Sequence, residues 1–314
     1  MVLDAMTRKT VSVPVPFNIS VCFKSQICVI ITVLSPNPNS LTENPIFSRM
    51  EQFWSGSAIN ENKGMVDNLQ RYGIISSRKV AEVMQTIDRA LFVNNGSPPY
   101  VDTRMPIGYN VYIPAPHMHA ICLQLLEEKL QPGMLALDVG SGTGYLTACF
   151  ALMVGPLGRA IGVEHIPELV SFSIESIQKS AAAEPLKNGS LSVHVGDGRQ
   201  GWPEFAPYDA IHVGAVASEI PQPFIDQLKA GGRMVIPVGN IYQDLKVVDK
   251  NSDGSISIRT ETSVRYVPLT SREAQLRGNR KRVIVVRGEG CGANFVLFSL
   301  YQNKTGCGVK RWSP

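Results

Sequence analysis

Short apolar runs alternate with segments of helical spacing along the middle of this 314-residue chain. The apolar runs predict five strands, at residues 135–139, 160–163, 191–195, 210–213 and 233–238. The spacing between them predicts three helices, at residues 146–153, 167–183 and 221–228. Because strand–helix–strand units connect by right-handed crossovers, this alternation predicts a parallel sheet.

The segments on either side of this region have other patterns. Upstream, two helices are predicted between residues 60 and 92, with Gly73 ending the first and Ser76 or Ser77 capping the second. A connection rich in Pro, Gly and Asn (98–116) follows, and then a helix at 118–130. Downstream, residues 245–248 and 255–258 flank a turn at Asn251-Ser252-Asp253-Gly254, which predicts an antiparallel hairpin, and 263–269 predicts one more strand.

A glycine-rich turn follows the first predicted strand of the parallel sheet. Gly140, Gly142 and Gly144 let the backbone turn sharply and approach a ligand closely. Nicotinamide and flavin enzymes also use such turns, but their fingerprint has a third glycine where this chain has Tyr145. Asp138 leads into the turn and suits a cationic sulfonium ligand better than a pyrophosphate. We therefore expect a Rossmann-like α/β fold of the S-adenosylmethionine-dependent methyltransferase type, with a mostly parallel seven-stranded sheet and a C-terminal antiparallel hairpin.

Two acidic residues at the ends of the next strands fit the same ligand. Glu164 ends the second strand, where a carboxylate can accept hydrogen bonds from both ribose hydroxyls. Asp197 follows the third strand within Gly196-Asp197-Gly198 and can accept from the adenine amino group. Open α/β sheets bind ligands at the carboxyl ends of their strands, so these acids are predicted to share one site with the glycine-rich turn.

Composition excludes several other classes of protein. The formal net charge is +4, which is too small and too dispersed for a nucleic-acid-binding surface. The six cysteines form no Cys-x-x-Cys pair, which argues against a disulfide framework or a zinc site. The longest apolar run, residues 27–34, is far shorter than the roughly 20 residues that span a bilayer.

Several motifs resemble the protein-L-isoaspartate (D-aspartate) O-methyltransferases, and most of all the plant members of that family. They are Ala115-Pro116-His117-Met118-His119-Ala120, residues 137–150, Val195-Gly196-Asp197-Gly198-Arg199, residues 207–215, Ile220-Pro221, residues 225–229, Gly231-Gly232-Arg233 and Tyr266-Val267-Pro268-Leu269-Thr270. The resemblance extends over residues 53–278 and implies an enzyme that moves a methyl group from S-adenosyl-L-methionine to the α-carboxyl of L-isoaspartyl residues. The β-carboxyl of D-aspartyl residues is a weaker acceptor in that family, and succinimide formation then returns damaged sites to aspartate.

The resemblance also implies which residues contact each reactant. It places the substrate loop at residues 111–119, with contacts from Val111, Tyr112, Ile113, His117 and His119. It assigns the cofactor to Val139, Gly140, Ser141, Gly142, Gly144, Glu164, His165, Asp197 and Gly198, with Thr270 and Gln275 as a cover. Without nearby Cys or acidic ligands, His117 and His119 are weak evidence for a metal, and we expect none. His194 and His212 fall in predicted strands and are expected to be hydrogen-bonded core residues.

One departure from the family pattern concerns the substrate loop. Family members have Thr-Ile-Ser-Ala-Pro-His where this chain has Tyr112-Ile113-Pro114-Ala115-Pro116-His117, so Pro114 occupies the position of the family's active-site serine. Pro106 also stands where a serine is usual. Two functions therefore stay open: a repair methyltransferase, with activity reduced by Pro114, and a weakened relative that binds the cofactor or isoaspartyl peptides.

The two ends of the chain lie outside the predicted methyltransferase domain at residues 53–278. Residues 1–52 are poor in acidic residues and form either an organelle-targeting extension or a disordered leader, with Met50 as the true start. Residues 279–314 have no sustained periodicity and are expected to be a poorly ordered tail. We expect a cytoplasmic monomer that acts on age-damaged proteins and binds neither nucleic acid nor membranes.

Overall fold

The computed structural model describes residues 61–277 fully and, outside that range, only the backbone of a few short strands. Three of these strands precede residue 61 and form an antiparallel sheet in the order β1-β2-β3. They are β1 (Lys9–Ser12), β2 (Asn18–Lys24) and β3 (Gln26–Thr32). The chain divides into one compact unit at Met1–Ser57 and another at Ala58–Pro314.

Two helices precede the sheet, as predicted. Helix α1 (Asn62–Arg71) is followed by Gly73, whose φ of +72° is a left-handed conformation that favours glycine at a helix end. Ser77 caps helix α2 (Arg78–Thr86), because its Oγ accepts a hydrogen bond from the Val80 amide at 3.2 Å. A 3-10 helix at Arg89–Phe92 follows.

The predicted connection at residues 98–116 contains a small hairpin of two strands, β4 (Met105–Gly108) and β5 (Val111–Ile113). Helix α3 (Pro116–Leu126) then begins two residues earlier than predicted, because a proline is well suited to the first turn of a helix. The predicted end at residue 130 was also too late, since the last turn, Glu127–Lys129, is a 3-10 helix.

The main sheet has seven strands in the order β12-β11-β10-β9-β6-β7-β8, which confirms the predicted sheet. The first five in chain order run parallel, and β11 and β12 add the antiparallel hairpin. The strands are β6 (Leu135–Val139), β7 (Arg159–Glu164), β8 (Leu191–Val195), β9 (Tyr208–Val213), β10 (Leu228–Gly239), β11 (Gln243–Lys250) and β12 (Ile256–Val264).

Within residues 61–277, five helices accompany these strands, the last of them after β12. Two of the predicted elements were wrong. The helices are α4 (Tyr145–Val154), α5 (Pro167–Gln178), α6 (Ala183–Asn188), α7 (Gln222–Gln227) and α8 (Arg272–Arg277). The helix predicted at 167–183 ends at Gln178, and α6 is a separate helix that begins at Ala183. The strand predicted at 263–269 does not form as a separate element. Ser263 and Val264 belong to β12, and Pro268 forms only an isolated parallel bridge with Val216. Between them the Tyr266 amide donates to the Gln243 side chain and not to a strand.

The central strands are buried on both faces, which explains their continuous apolar sequences. Their side chains form one core cluster that includes Leu137, Val163, Ile211 and Met234. Helix α4 is buried at nine of its positions, and its burial fixes the glycine-rich turn that precedes it. The carboxyl ends of the central strands therefore form a rigid edge on which a site can be built.

Three short strands follow residue 277, and they form an antiparallel sheet in the order β13-β14-β15. They are β13 (Val283–Ile284), β14 (Phe298–Asn303) and β15 (Gly306–Arg311). The domain boundaries predicted at residues 52/53 and 278/279 remain predictions.

Candidate active site

The glycine-rich turn leaves strand β6 at the carboxyl edge of the sheet. Gly140, Gly142 and Gly144 have φ values of +72°, +55° and +84°, a region that side chains disfavour. The amides of Gly140 and Ser141 donate to the Val163 carbonyl at 2.8 and 3.1 Å, which ties the turn to the end of β7. The sequence therefore needs glycine here to make the turn, and the turn lies directly beside Glu164.

Glu164 is held by the backbone on both sides of its carboxylate. Its Oε2 accepts from the Gly142 amide and its Oε1 from the Ile166 amide, each at 3.1 Å, and the residue is only 5% exposed. Burial raises the pKa of this carboxyl above its ordinary value, while the nearby His165 and the amide donors oppose that rise. Each carboxylate oxygen can accept a second hydrogen bond, so the two oxygens of Glu164 can accept hydrogen bonds from two adjacent hydroxyl groups.

A cleft at this edge brings together many of the residues predicted for the two reactants. Seven of the residues that line it were predicted from the sequence: Val111, Gly140, Glu164, His165, Gly198, Thr270 and Gln275. Sequence reasoning missed six others, which are Val163, Gly214, Ala215, Val267, Pro268 and Leu269. Gly214 could have been found, since it directly follows β9, whose Val213 is paired with Val139 of β6. Val139, Ser141, Gly142, Gly144 and Asp197 do not line the cleft, although each is a chain neighbour of the lining or of the turn.

The two residues predicted as a cover reach the cleft from the segment after β12. Gln275 on α8 lies 3.1 Å from His165, between its Oε1 and the imidazole Nε2. The Asn110 side chain donates to the Gln275 carbonyl at 3.0 Å. These contacts join α8 to the end of β7 and to the β4–β5 hairpin, so the cleft is bounded on three sides.

Asp197 follows β8 and is held by a neighbouring arginine. Arg199 donates from Nε and a terminal nitrogen to both carboxylate oxygens, and the Arg199 amide also donates to Oδ1. These hydrogen bonds lower the pKa of the Asp197 carboxyl. The group is thus a fixed, half-exposed anion beside the cleft, and its predicted contact with adenine stays a prediction.

Asp138, the acid expected to suit a cationic ligand, does not line the cleft. It is 1% exposed, and its two oxygens accept from Thr147 Oγ1 at 2.6 Å and contact His212 Nδ1 at 2.8 Å. Burial acts to lower the pKa of His212, but the hydrogen bonds and charges of Asp138 and Cys122 together outweigh it, and the pKa rises to about 10. His212 is thus a hydrogen-bonded core residue, as predicted. Its bond to Asp138 links β9 to the end of β6, from which the turn begins.

His194, the other predicted core histidine, is only partly buried. Its Nε2 lies 2.9 Å from Ser192 Oγ, and its ring stacks on Trp202 with centroids 4.6 Å apart. The residue is satisfied, but it lies near the outer edge of the sheet because β8 is the terminal strand.

The substrate loop predicted at residues 111–119 combines strand β5 with the start of α3. Val111 lines the cleft, Ile113 is 3% exposed, and the Tyr112 ring lies 5.1 Å from the Arg104 guanidinium. The Pro114 carbonyl accepts a hydrogen bond from a terminal nitrogen of Arg89 at 2.7 Å. Pro114 is therefore fixed through its backbone, while its ring offers no donor.

The two histidines of this loop have different environments. His117 Nδ1 lies 2.7 Å from Asp102 Oδ2, and the His117 amide donates to Asp102 Oδ1, so this carboxylate fixes the residue near the surface. His119 is 4% exposed, and its ring stacks on Tyr145 with centroids 4.8 Å apart. Burial, assisted by Arg89, holds the pKa of His119 well below its ordinary value. The predicted substrate contact of His119 stays untested, but its side chain lies beneath the loop.

A larger groove of about 450 Å³ opens at the opposite edge of the sheet. It is lined by residues at the amino ends of β6, β7 and β8, and Arg159 is the single ionisable side chain among them. The Arg159 guanidinium packs 4.7 Å from the Phe205 ring centroid. This groove offers no group for acid–base or transfer chemistry, so the smaller cleft is the better candidate.

The described residues contain no metal-binding cluster and no membrane-spanning helix. Within residues 61–277, no cluster of three or more His, Cys, Asp or Glu side chains has the arrangement of a metal site. No helix in the described part of the chain has the length and apolar character needed to cross a bilayer.

Comparison with known proteins gives consistent matches. The family model described as protein-L-isoaspartate (D-aspartate) O-methyltransferase matches residues 60–274. Protein-L-isoaspartate O-methyltransferase 1 of Arabidopsis thaliana is 72% identical over 230 residues, which cover 73% of this chain and 100% of the relative. The Triticum aestivum protein-L-isoaspartate O-methyltransferase is 65% identical over 228 residues, covering 73% of this chain and 99% of the relative.

A solved structure agrees with these sequence matches. A Plasmodium falciparum protein described as a beta-aspartate methyltransferase, crystallised with S-adenosyl-L-homocysteine, superimposes with a TM-score of 0.63 at 36% identity. The match covers 67% of this chain and 99% of that one. The family model covers residues 60–274 and the two plant relatives are 72% and 65% identical, so this chain belongs to the protein-L-isoaspartate (D-aspartate) O-methyltransferase family.

Proposed function

We propose that this chain is an active repair enzyme, which transfers the methyl group of S-adenosyl-L-methionine to the α-carboxyl of L-isoaspartyl residues in damaged proteins. D-aspartyl residues are the weaker second acceptor. One observation supports this most: Val111, the first residue of the substrate loop, lines the same cleft as Gly140 and Glu164. The segments proposed to hold the two reactants thus meet at one place.

The proposed reaction needs little acid–base chemistry from the protein. S-adenosylmethionine supplies a methyl group on a positively charged sulfur, and a carboxylate is already ionised at neutral pH. The chain's residues therefore have to bring the carboxylate into line with the methyl group and exclude water. This fits a cleft whose walls are mainly glycine and apolar residues, with one fixed carboxylate at Glu164.

The chain's polar groups near the turn fit such a ligand. Glu164 would accept the ribose hydroxyls, and Gly198 and Asp197 would lie against the adenine. The Ser141 hydroxyl is buried and has no hydrogen-bond partner among the described residues, so it can serve a polar group of the ligand. Val139, Gly140, Gly142 and Gly144 would form the turn around the ligand, with His165, Thr270 and Gln275 closing over it.

Pro114 favours low activity rather than none. It removes a hydroxyl and an amide donor from the loop, and Tyr112 also departs from the family threonine, but Ile113 and His117 are retained. A weakened relative that binds the cofactor or isoaspartyl peptides without turnover is the second candidate, and only the Pro114 substitution favours it.

The decisive experiment is a methyl-transfer assay on an isoaspartyl peptide and on its aspartyl twin, with binding of S-adenosylhomocysteine measured in parallel. We expect methylation of the isoaspartyl peptide alone and one binding site per chain. Binding without methylation would support the weakened relative. Equal methylation of both peptides would contradict isoaspartyl repair.

We expect the protein to act as a cytoplasmic monomer that binds neither nucleic acid nor membranes. The small net charge of +4 supports the expectation that the protein does not bind nucleic acid, since such binding relies on concentrated positive charge. Size-exclusion chromatography with light scattering would test the monomer.

A further inference from the structure

Arg89 is a fully buried arginine at the start of the 3-10 helix, with 0% of its surface exposed. Burial lowers the pKa of its guanidinium to about 10, so the group remains charged at neutral pH. The charge of Asp102 opposes that decrease, but the Asp102 carboxylate is bonded to His117, and no carboxylate within residues 61–277 forms an ion pair with Arg89. Burying a charge that forms no ion pair costs stability, and the hydrogen bonds of Arg89 go to neutral groups.

Two of these contacts hold the segment that carries the substrate loop. Arg89 Nε donates to the Pro99 carbonyl at 3.0 Å, and a terminal nitrogen donates to the Pro114 carbonyl at 2.7 Å. One planar guanidinium thus binds both ends of residues 99–114, which include the β4–β5 hairpin. Its rigid fork of donors suits this task better than the flexible ammonium of a lysine.

The remaining contacts lead to the cofactor side of the cleft. The other terminal nitrogen lies 3.1 Å from His119 Nδ1, and the guanidinium carbon lies 5.8 Å from the centroid of the Tyr145 ring. Because Arg89 is a permanent donor, His119 has to accept at Nδ1 and stay neutral. Tyr145, on which His119 stacks, directly follows Gly144 and begins α4. Arg89 therefore contacts both the substrate segment and the helix that fixes the glycine-rich turn.

We propose that Arg89 is a positioning residue that sets the substrate loop against the glycine-rich turn, so that the acceptor carboxylate and the methyl group are aligned. This inference rests on the proposed methyl transfer and assigns the alignment to one buried cation. Arg89 does not line the cleft, so it acts through the Pro114 carbonyl, His119 and Tyr145. A displacement of about 1 Å between two reactants can cost on the order of 100-fold in rate.

Arg89→Lys tests the proposal, because it keeps the charge but cannot bind both carbonyls and His119 in the same geometry. We expect kcat/KM on an isoaspartyl peptide to fall on the order of 100-fold. The Kd for S-adenosylhomocysteine should change far less, since the groups proposed to bind it are intact. Relative to wild type, the rate of hydrogen–deuterium exchange should increase more in residues 99–114 than in the central strands.

Phe224→Leu in the full-length chain is the matched control, since Phe224 is a fully buried core residue on α7 that does not line the cleft. It should lower the Tm without the selective loss of kcat/KM. Unchanged kcat/KM in Arg89→Lys would overturn the proposal. So would losses of kcat/KM that are proportional to the decrease in Tm in both variants. If the wild-type chain does not methylate the peptide, the proposed function fails separately, and unchanged exchange in residues 99–114 would still refute the role of Arg89.

Discussion

Replacing Glu164 with glutamine is the sharpest test of the proposed cofactor site. The substitution keeps the shape of the side chain but leaves one acceptor oxygen in place of two. In the wild-type chain, each oxygen accepts one amide, from Gly142 or from Ile166, at 3.1 Å. The glutamine can satisfy one amide only, and its NH2 group would face the other.

The magnitude follows from the hydrogen bonds that are lost. A hydrogen bond to a charged group contributes about 1.5–3 kcal/mol, and we expect Glu164 to make at least one such bond to a ribose hydroxyl. Its loss corresponds to an increase in Kd of about 10- to 100-fold. The effect on folding should be smaller, because removing the charge also removes the burial penalty that raises the pKa of Glu164.

Isothermal titration calorimetry with S-adenosylhomocysteine measures this change directly. Glu168→Gln is the matched control, since it removes the same charge from an exposed position four residues further along the chain. It should leave the Kd unchanged. Unchanged affinity in Glu164→Gln, or an equal loss in both variants, would refute the assignment of the ribose contact to Glu164.

Three further predictions concern the loop, the buried ion pair and the chain ends. Pro114→Ser should raise turnover on an isoaspartyl peptide about 10- to 100-fold, the equivalent of one charged hydrogen bond of about 1.5–3 kcal/mol; equal turnover in wild type and variant would contradict this. The pKa of His212 is raised to about 10, so its pairing with Asp138 stabilises the fold fully below the unfolded pKa of about 6.5 and is lost as pH rises through 10. The stability difference between wild type and His212→Gln, measured by urea unfolding, should shrink over that range; a constant difference would argue against a charged pair. Limited proteolysis should leave a stable, folded fragment of about residues 53–278, and unfolding on trimming would show that the ends belong to the core.

The glycine-rich turn and Glu164 could be predicted from the sequence because their signals are local. Positive φ values require glycine at three alternate positions, and the continuous apolar runs are typical of strands that are buried on both faces. Once the strands are known to be parallel, Glu164 and Gly198 have to lie at the same edge. The resemblance to a known family then extends this site to the substrate loop.

Local pattern was insufficient where a distant segment decides the conformation. The strand predicted at residues 263–269 is interrupted after Val264, where the Gln243 side chain bonds the Tyr266 backbone amide across 23 positions, and only an isolated bridge forms at Pro268. The helix predicted at residues 167–183 ends at Gln178, and α6 starts separately at Ala183. Apolar spacing alone did not indicate the break.

The sequence by itself determined the sheet, its glycine-rich turn and the acid that ends β7, because each depends on residues close together in the chain. Only the tertiary structure decided what the buried charges do. Asp138 is 74 positions from His212, and Arg89 is 25 positions from Pro114, so no local periodicity relates the members of either pair. Asp138 therefore faces the core and not a ligand, and Arg89 joins the substrate segment to the cofactor helix, because packing brings distant polar groups to where buried charges must be satisfied.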